Sequence, residues 1–145
     1  SVFTVETLAR FNAVTSVMTL CGNYSGATAG WTLQFRGGEA NEASFGNGDT
    51  KLINPNWDAS TATWYHYDVS RSGTDLRLFV DGAQLGATVT DSTNITGSTA
   101  VLRIGELASL NIQDFNGWLC SLRVTKGVAR YTANFTPPTL PLPTS

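Results

Sequence analysis

The chain has 145 residues, a formal charge of −2 and only 14% charged residues, the size of one domain able to bury on the order of 70% of the surface its unfolded form exposes. Its nine Lys and Arg are scattered, so there is no basic stripe to neutralise a run of phosphates, and nucleic acid is not an expected partner. No apolar run approaches the roughly 20 residues that span a bilayer, and the start lacks the basic and apolar stretches of a signal peptide, so membrane insertion is not expected either.

The opening "SVFTVE" has no methionine and enters strand alternation at once, as expected of a processed product or of a domain cut from a longer chain. In "FTVETLARF" the residues Phe3, Val5, Ala9 and Phe11 share one face while Thr4, Glu6 and Arg10 share the other, the pattern of a half-buried strand. "WTLQFR" repeats it, with Trp31, Leu33 and Phe35 pointing one way and Thr32, Gln34 and Arg36 the other. The polar, glycine-rich "RGGEANEASFGNGD" and "INPNWDASTAT" read as long rim loops, with a short strand at Thr50 to Ile53 between them. "WYHYDVSRSGTDLRLFVDGAQLGA" then reads as three consecutive antiparallel strands. Ser72-Gly73-Thr74 marks the first turn, Leu76, Leu78 and Val80 alternate with Arg77 and Phe79, and Asp81-Gly82 supplies the left-handed geometry of a two-residue hairpin turn. Strands follow at Val101 to Ile104 and Trp118 to Val124. "WYHYDV" and "WLCSLRV" are apolar on both sides, which predicts central strands with part of their outer face covered.

No window carries a sustained helical period. About ten short strands with 14 glycines leave a sandwich of two antiparallel sheets or a closed barrel, and the sandwich is favoured. Cys21 and Cys120, with a single histidine in the chain, match no zinc spacing. A disulfide closing a very long loop and two separate buried thiols both stay open for them. In the closing segment "TKGVARYTANFTPPTLPLP", Gly127 permits a reversal after the last strand, and Val128, Tyr131 and Phe135 fall at i, i+3 and i+7. That spacing predicts a plug over an open edge or end of the sandwich, after which Pro137-Pro138 lead away in extended form.

"FTVE", "WYHYDVSRSGTDLRLFVDGAQLG", "STNITGSTAVLRIGE" and "FNGWLCSLRVTKGVARYTANFTPP" occur in that order over nearly the whole chain. Together they resemble the laminin-G-like, concanavalin A-like domains of phage tail and other virion proteins, the last block most specifically. Two departures stand out: Leu8 occupies a position where such domains often have tryptophan, and the strand usually found before "FTVE" is absent. The resemblance implies an all-β, concanavalin A-like jelly-roll sandwich of two antiparallel sheets over residues 1–138, with 139–145 as a tail or linker. It also implies a non-catalytic module on a virion surface, on tail, fibre or capsid, or otherwise extracellular, that attaches to cell-surface glycan. The alternative within the same resemblance is structural: decoration, cementing or oligomerisation among virion proteins.

The fold also hosts glycanases, but retaining cleavage needs two carboxylates about 5 Å apart, met on a strand by acids at alternating positions. The acids here are dispersed, and His66 with Asp68 or Ser70 on one strand lacks the third positioned group of a triad; no catalytic residue is expected. Sugar binding by a sandwich uses an aromatic that stacks on a pyranose, with polar neighbours in a shallow rim site. Trp57, the tryptophan set in a polar loop, is the candidate platform; Asp58, Asn47 and Asp49 are its candidate polar partners. Calcium would draw on Asp91 and Asn94 with Asp49 and Asp58, but these form no dense acidic loop, so no cofactor is predicted. Asn23, Asn94 and Asn134 head N-x-S/T triplets that matter only in a eukaryotic secretory route.

Overall fold

The computed structural model describes residues 1–38, 40–95, 99–107, 112–139 and 142. They contain ten strands and no helix: β1 (Phe3–Phe11), β2 (Val17–Gly22), β3 (Trp31–Arg36), β4 (Glu42–Asn47), β5 (Thr50–Ile53), β6 (Trp64–Ser72), β7 (Asp75–Val80), β8 (Ala83–Thr90), β9 (Arg103–Ile104) and β10 (Gly117–Lys126). Two five-stranded sheets result, ordered β10-β1-β6-β7-β8 and β5-β4-β3-β2-β9, and all strand pairs are antiparallel. This is the all-β sandwich expected from the sequence.

Alternation decides which residues meet between the sheets. Val5, Ala9 and Phe11 of β1 and Leu76, Leu78 and Val80 of β7 face Met18, Leu33, Phe35, Ala43 and Phe45 of the second sheet. Each large side chain so buried stabilises the fold by about 1.5–3 kcal/mol. Tyr67 of β6 crosses the core, and its hydroxyl donates to Gln34 O at 2.7 Å and accepts from Ser44 N at 3.2 Å. One buried phenol thus ties β6 to the middle of β3 and β4. At the hairpin between β7 and β8, Asp81 and Gly82 take φ of 49° and 76°, the geometry the Asp-Gly pair predicts.

Several expectations need correction. The first rim loop contains a whole strand, β4, in which Ala43 and Phe45 point inward between Glu42 and Ser44; its flanking Gly and Asn residues disguised a short alternation. Strand β2 was likewise not anticipated, and the strand expected at Val101 to Ile104 shrinks to β9, Arg103–Ile104. Strand β6 is central, but β10 lies at a sheet edge. Cys21 is buried in β2 of one sheet and Cys120 stands in β10 of the other, both as free thiols. Burial pushes the Cys21 thiol up to about 12, which makes it inert at neutral pH.

The closing segment also sits elsewhere than predicted. Gly127, at φ 86°, does reverse the chain after β10. The segment then crosses the outer face of the first sheet instead of plugging an edge: Arg130 N donates to Thr4 Oγ1 at 2.9 Å over β1, and Phe135 N donates to Gly82 O at 2.9 Å beyond β7. Tyr131 and Phe135 stack at 3.6 Å between ring centroids, and both meet His66 and Phe79 edge-on. Val128, half exposed, does not join them. The reason is polar: the outer face of β1 and β6 carries Glu6, His66 and Asp68, which need a cover that brings hydrogen bonds as well as rings. Of the predicted tail 139–145, residues 140, 141 and 143–145 lie outside the described residues, and Leu142 is buried.

Candidate functional site

The outer face of the second sheet is polar and carries a groove. Thr19 of β2, Thr32, Gln34 and Arg36 of β3 and Glu42 and Ser44 of β4 alternate with the core residues and so line up side by side. A groove of about 260 Å³ runs over Thr32, Gln34, Arg36 and Ser44, walled by Tyr24 from the β2–β3 loop, Leu107 and Gln113 from the β9–β10 connection, and Lys51 on edge strand β5. Tyr24 and Leu107 form a small apolar cluster of their own.

The floor is held by bonds among its own side chains. Gln34 Nε2 donates to Gln113 Oε1 at 2.7 Å and to Thr19 Oγ1 at 3.1 Å, and Arg36 Nη1 donates to Gln34 Oε1 at 3.0 Å. Tyr24 OH donates to Asp49 Oδ1 at 2.7 Å, and that bond, followed by burial and the nearby charge, raises the Tyr24 hydroxyl above its ordinary value. Glu42 accepts from Lys51 Nζ at 2.8 Å and from Asn54 Nδ2 at 2.9 Å. Burial alone would push Glu42 up, but those bonds and the Lys51 and Arg36 charges outweigh it and hold the carboxyl below the usual range. Gly46 leaves a bare patch of backbone at the β4–β5 irregularity, where a Cβ would meet Thr50 O at 2.6 Å. The groove therefore offers fixed donors and acceptors, with the Arg36 and Lys51 cations and the Asp49 carboxylate along it, Glu42 beside it on Lys51, and an aromatic wall.

A second polar cluster lies on the opposite sheet, and it is closed. Glu6 Oε2 is 2.9 Å from His66 Nε2 and accepts from Tyr131 OH at 3.0 Å, while Glu6 Oε1 accepts from Arg123 Nε at 2.7 Å. Glu6 and Asp68 are cross-strand partners, both fully buried beneath the Tyr131–Phe135 stack. Paired carboxylates without an opening cannot reach a polymer.

The family model of the concanavalin A-like lectin/glucanases superfamily matches residues 1–130. The chain belongs to that superfamily. A search of curated protein sequences finds no match. Solved structures of similar fold include domain 4 of AbnA, an extracellular GH43 arabinanase from Geobacillus stearothermophilus, in complex with arabinotriose, at 18% identity and TM-score 0.70 over 88% of this chain. The chain spans 61% of that structure. CBM40 of the Ruminococcus gnavus IT-sialidase, bound to α2,3-sialyllactose, is 14% identical with TM-score 0.67, covering 88% of this chain and 77% of that one. The carbohydrate-binding module CBM66 from Bacillus subtilis is 15% identical with TM-score 0.59, covering 86% and 75%. At these identities the likeness establishes the fold.

Within this concanavalin A-like frame the four sequence-predicted site residues do not assemble into one site. Asp49 lines the groove. Trp57 packs its ring edge-on against Tyr65 at 4.9 Å, Tyr67 at 5.5 Å and Phe35 at 5.7 Å, closing one end of the core. Its loop is fixed by Trp57 N donating to Asn41 O at 2.7 Å and by Asn41 Nδ2 donating to Asp58 Oδ1 at 2.9 Å. Asn47 ends β4 opposite Trp31, its Oδ1 buried without a partner. Asp91, weighed for calcium, accepts from Arg71 Nη1 at 3.1 Å and from Thr93 N at 3.0 Å. Gln34 and Arg36 were legible as the polar face of β3 but carried no sign of being a floor. Tyr24, Gln113 and Lys51 join them through strand order alone, which no local pattern reveals.

Proposed function

We propose that this domain is a non-catalytic glycan-binding module that holds its ligand in the groove of the second sheet. The observation that carries the reading is the pre-bonded floor centred on Gln34. Sugar hydroxyls both donate and accept, and a surface of side chains already fixed by one another meets them without the ordering cost that loose side chains incur. Tyr24 supplies an apolar wall of the kind sugar rings favour. Similarity in fold to structures that bind arabinotriose and sialyllactose supports the same reading. A non-catalytic role is supported by Glu42, whose oxygens are taken by Lys51 and Asn54 and whose depressed pKa leaves it no proton to give a leaving group.

The finer reading is that the module sits on a virion surface and attaches to cell-surface glycan, supported by the resemblance of the "TKGVARYTANFTPP" block. The protein-binding alternative, decoration or cementing of a capsid or tail, is favoured by Val101, Leu102 and Ile104, 67%, 48% and 57% exposed at and beside edge strand β9. A glycan array probed with wild type and Arg36→Ala separates the two. Saturable binding that weakens about tenfold in the variant, as loss of one charged hydrogen bond entails, supports the groove. Absence of binding on the array with tight retention on purified capsids or tails supports the alternative.

A further inference from the structure

The outer face of the first sheet is covered only in part. Beyond the end of the Tyr131–Phe135 cover, three neighbouring strands present one row: Trp64 on β6, Arg10 on β1 and Trp118 on β10, with Arg10 the cross-strand partner of both tryptophans. Trp64 is 46% exposed and Trp118 is 51% exposed, although indoles are the side chains a fold gains most from burying. The Arg10 guanidinium lies 4.7 Å from the centroid of the Trp118 ring, and its Nε donates to Ala62 O at 3.2 Å. Those two contacts hold the planar cation in the row, and its terminal nitrogens have no partner among the described residues. No carboxylate pairs with Arg10 among the described residues, and Glu6, on the same face of β1, is committed to Arg123, His66 and Tyr131 under the cover. The row therefore carries a net positive charge on an aromatic strip two strand spacings long, about 10 Å.

We propose that this row is a second binding surface, specific for a carboxylated sugar within a glycan. Pyranose rings stack on the indole faces, and the carboxylate takes the free, forked donors of Arg10, which match its geometry better than a point charge does. Charge decides against the other occupants. A second copy of the chain meeting this face about a two-fold axis would bring Arg10 towards its own counterpart. A nucleic acid strand would find a single cation where it needs a series. The surface lies on the opposite side of the sandwich from the Gln34 groove, so it does not depend on the groove's being occupied.

The experiment is calorimetric titration of the full chain with polygalacturonate, with 3′-sialyllactose and with dextran as the neutral polymer. Uronate and sialate arms distinguish the source of the carboxylate. The expected result is binding of at least one acid and not of dextran, weakened about tenfold or more in both Trp118→Ala and Arg10→Gln, with Arg10→Lys intermediate because it keeps charge and loses the fork. Thermal melts of the same proteins separate lost binding from lost folding, and Arg10→Lys serves as the reading should Arg10→Gln unfold. The proposal is overturned if neither acid binds, if dextran binds as well as the acids and loses that binding in Trp118→Ala, or if Arg10→Gln and Arg10→Lys both bind as tightly as wild type. It is also overturned if Arg36→Ala abolishes acid binding while Trp118→Ala does not, or if the chain self-associates in a manner that Trp118→Ala removes.

Discussion

At neutral pH Asp68 is fully buried across the strand pair from ionised Glu6, with Oδ1 accepting from Ser70 at 3.2 Å and Oδ2 without a partner. Burial, and then the Glu6 charge, raise its pKa well above the ordinary aspartate value. Glu6 goes the other way: burial pushes it up, but the bonds from His66, Arg123 and Tyr131 outweigh that and lower it. The two therefore act oppositely on stability. Glu6 contributes stability that is present above its unfolded value and lost as pH falls through its folded one. Asp68 is most favourable below its unfolded value, and its contribution is lost as pH rises towards its raised folded value. Asp68→Asn should accordingly raise the melting temperature at neutral pH, by about 3 °C for each kcal/mol in a chain of this size, and the gain should vanish below about pH 4. A variant no more stable at neutral pH than wild type would contradict this. Tyr67 offers a second test at the same scale. Tyr67→Phe strands Ser44 N and weakens Gln34 O in the core, so denaturant unfolding should show a loss of about 1–3 kcal/mol. Because both backbones carry the groove floor, glycan affinity should fall with it.

The closing segment shows how an element acquires its place. Tyr131 and Phe135 are each half buried, and their stack covers a face whose own residues are too polar to stay dry alone and too buried to stay wet. Phe135→Ala should destabilise by about 2 kcal/mol, and removal of residues 131–138 should lower the melting temperature further; an unchanged melt would contradict the covering role. Alternation made β1, β3 and β6 to β8 legible, because each has one apolar face and clear turn residues at its ends. Strand β4 was hidden because "EASFGN" has small residues on both faces, and its inward pair, Ala43 and Phe45, is recognisable only once β3 lies beside it. The edge position of β10 was hidden for a related reason: Trp118 and Cys120 make its outer face apolar, as in a central strand, although Trp118 is left in solvent. Trp57 was misleading in the same way. Its polar flanks marked a loop correctly, but not the direction of its ring, which packing against Phe35, Tyr65 and Tyr67 decides.

On the scale of the whole molecule the two sheets divide the work. The first sheet has its outer face partly sealed by the closing segment, and among the described residues no such segment crosses the second, whose groove is walled by Tyr24 and Leu107, packed as a small cluster. On the reading proposed above, that polar face, pre-bonded through Gln34, is where a ligand made of hydroxyls binds. Backbone amide shifts, recorded while the full chain is saturated with the best neutral glycan from the array, test this most directly. The expected result is perturbation centred on Thr32, Gln34, Arg36, Ser44 and Lys51. Perturbation confined to the Trp57 loop, or to the Trp64 and Trp118 row, would contradict it.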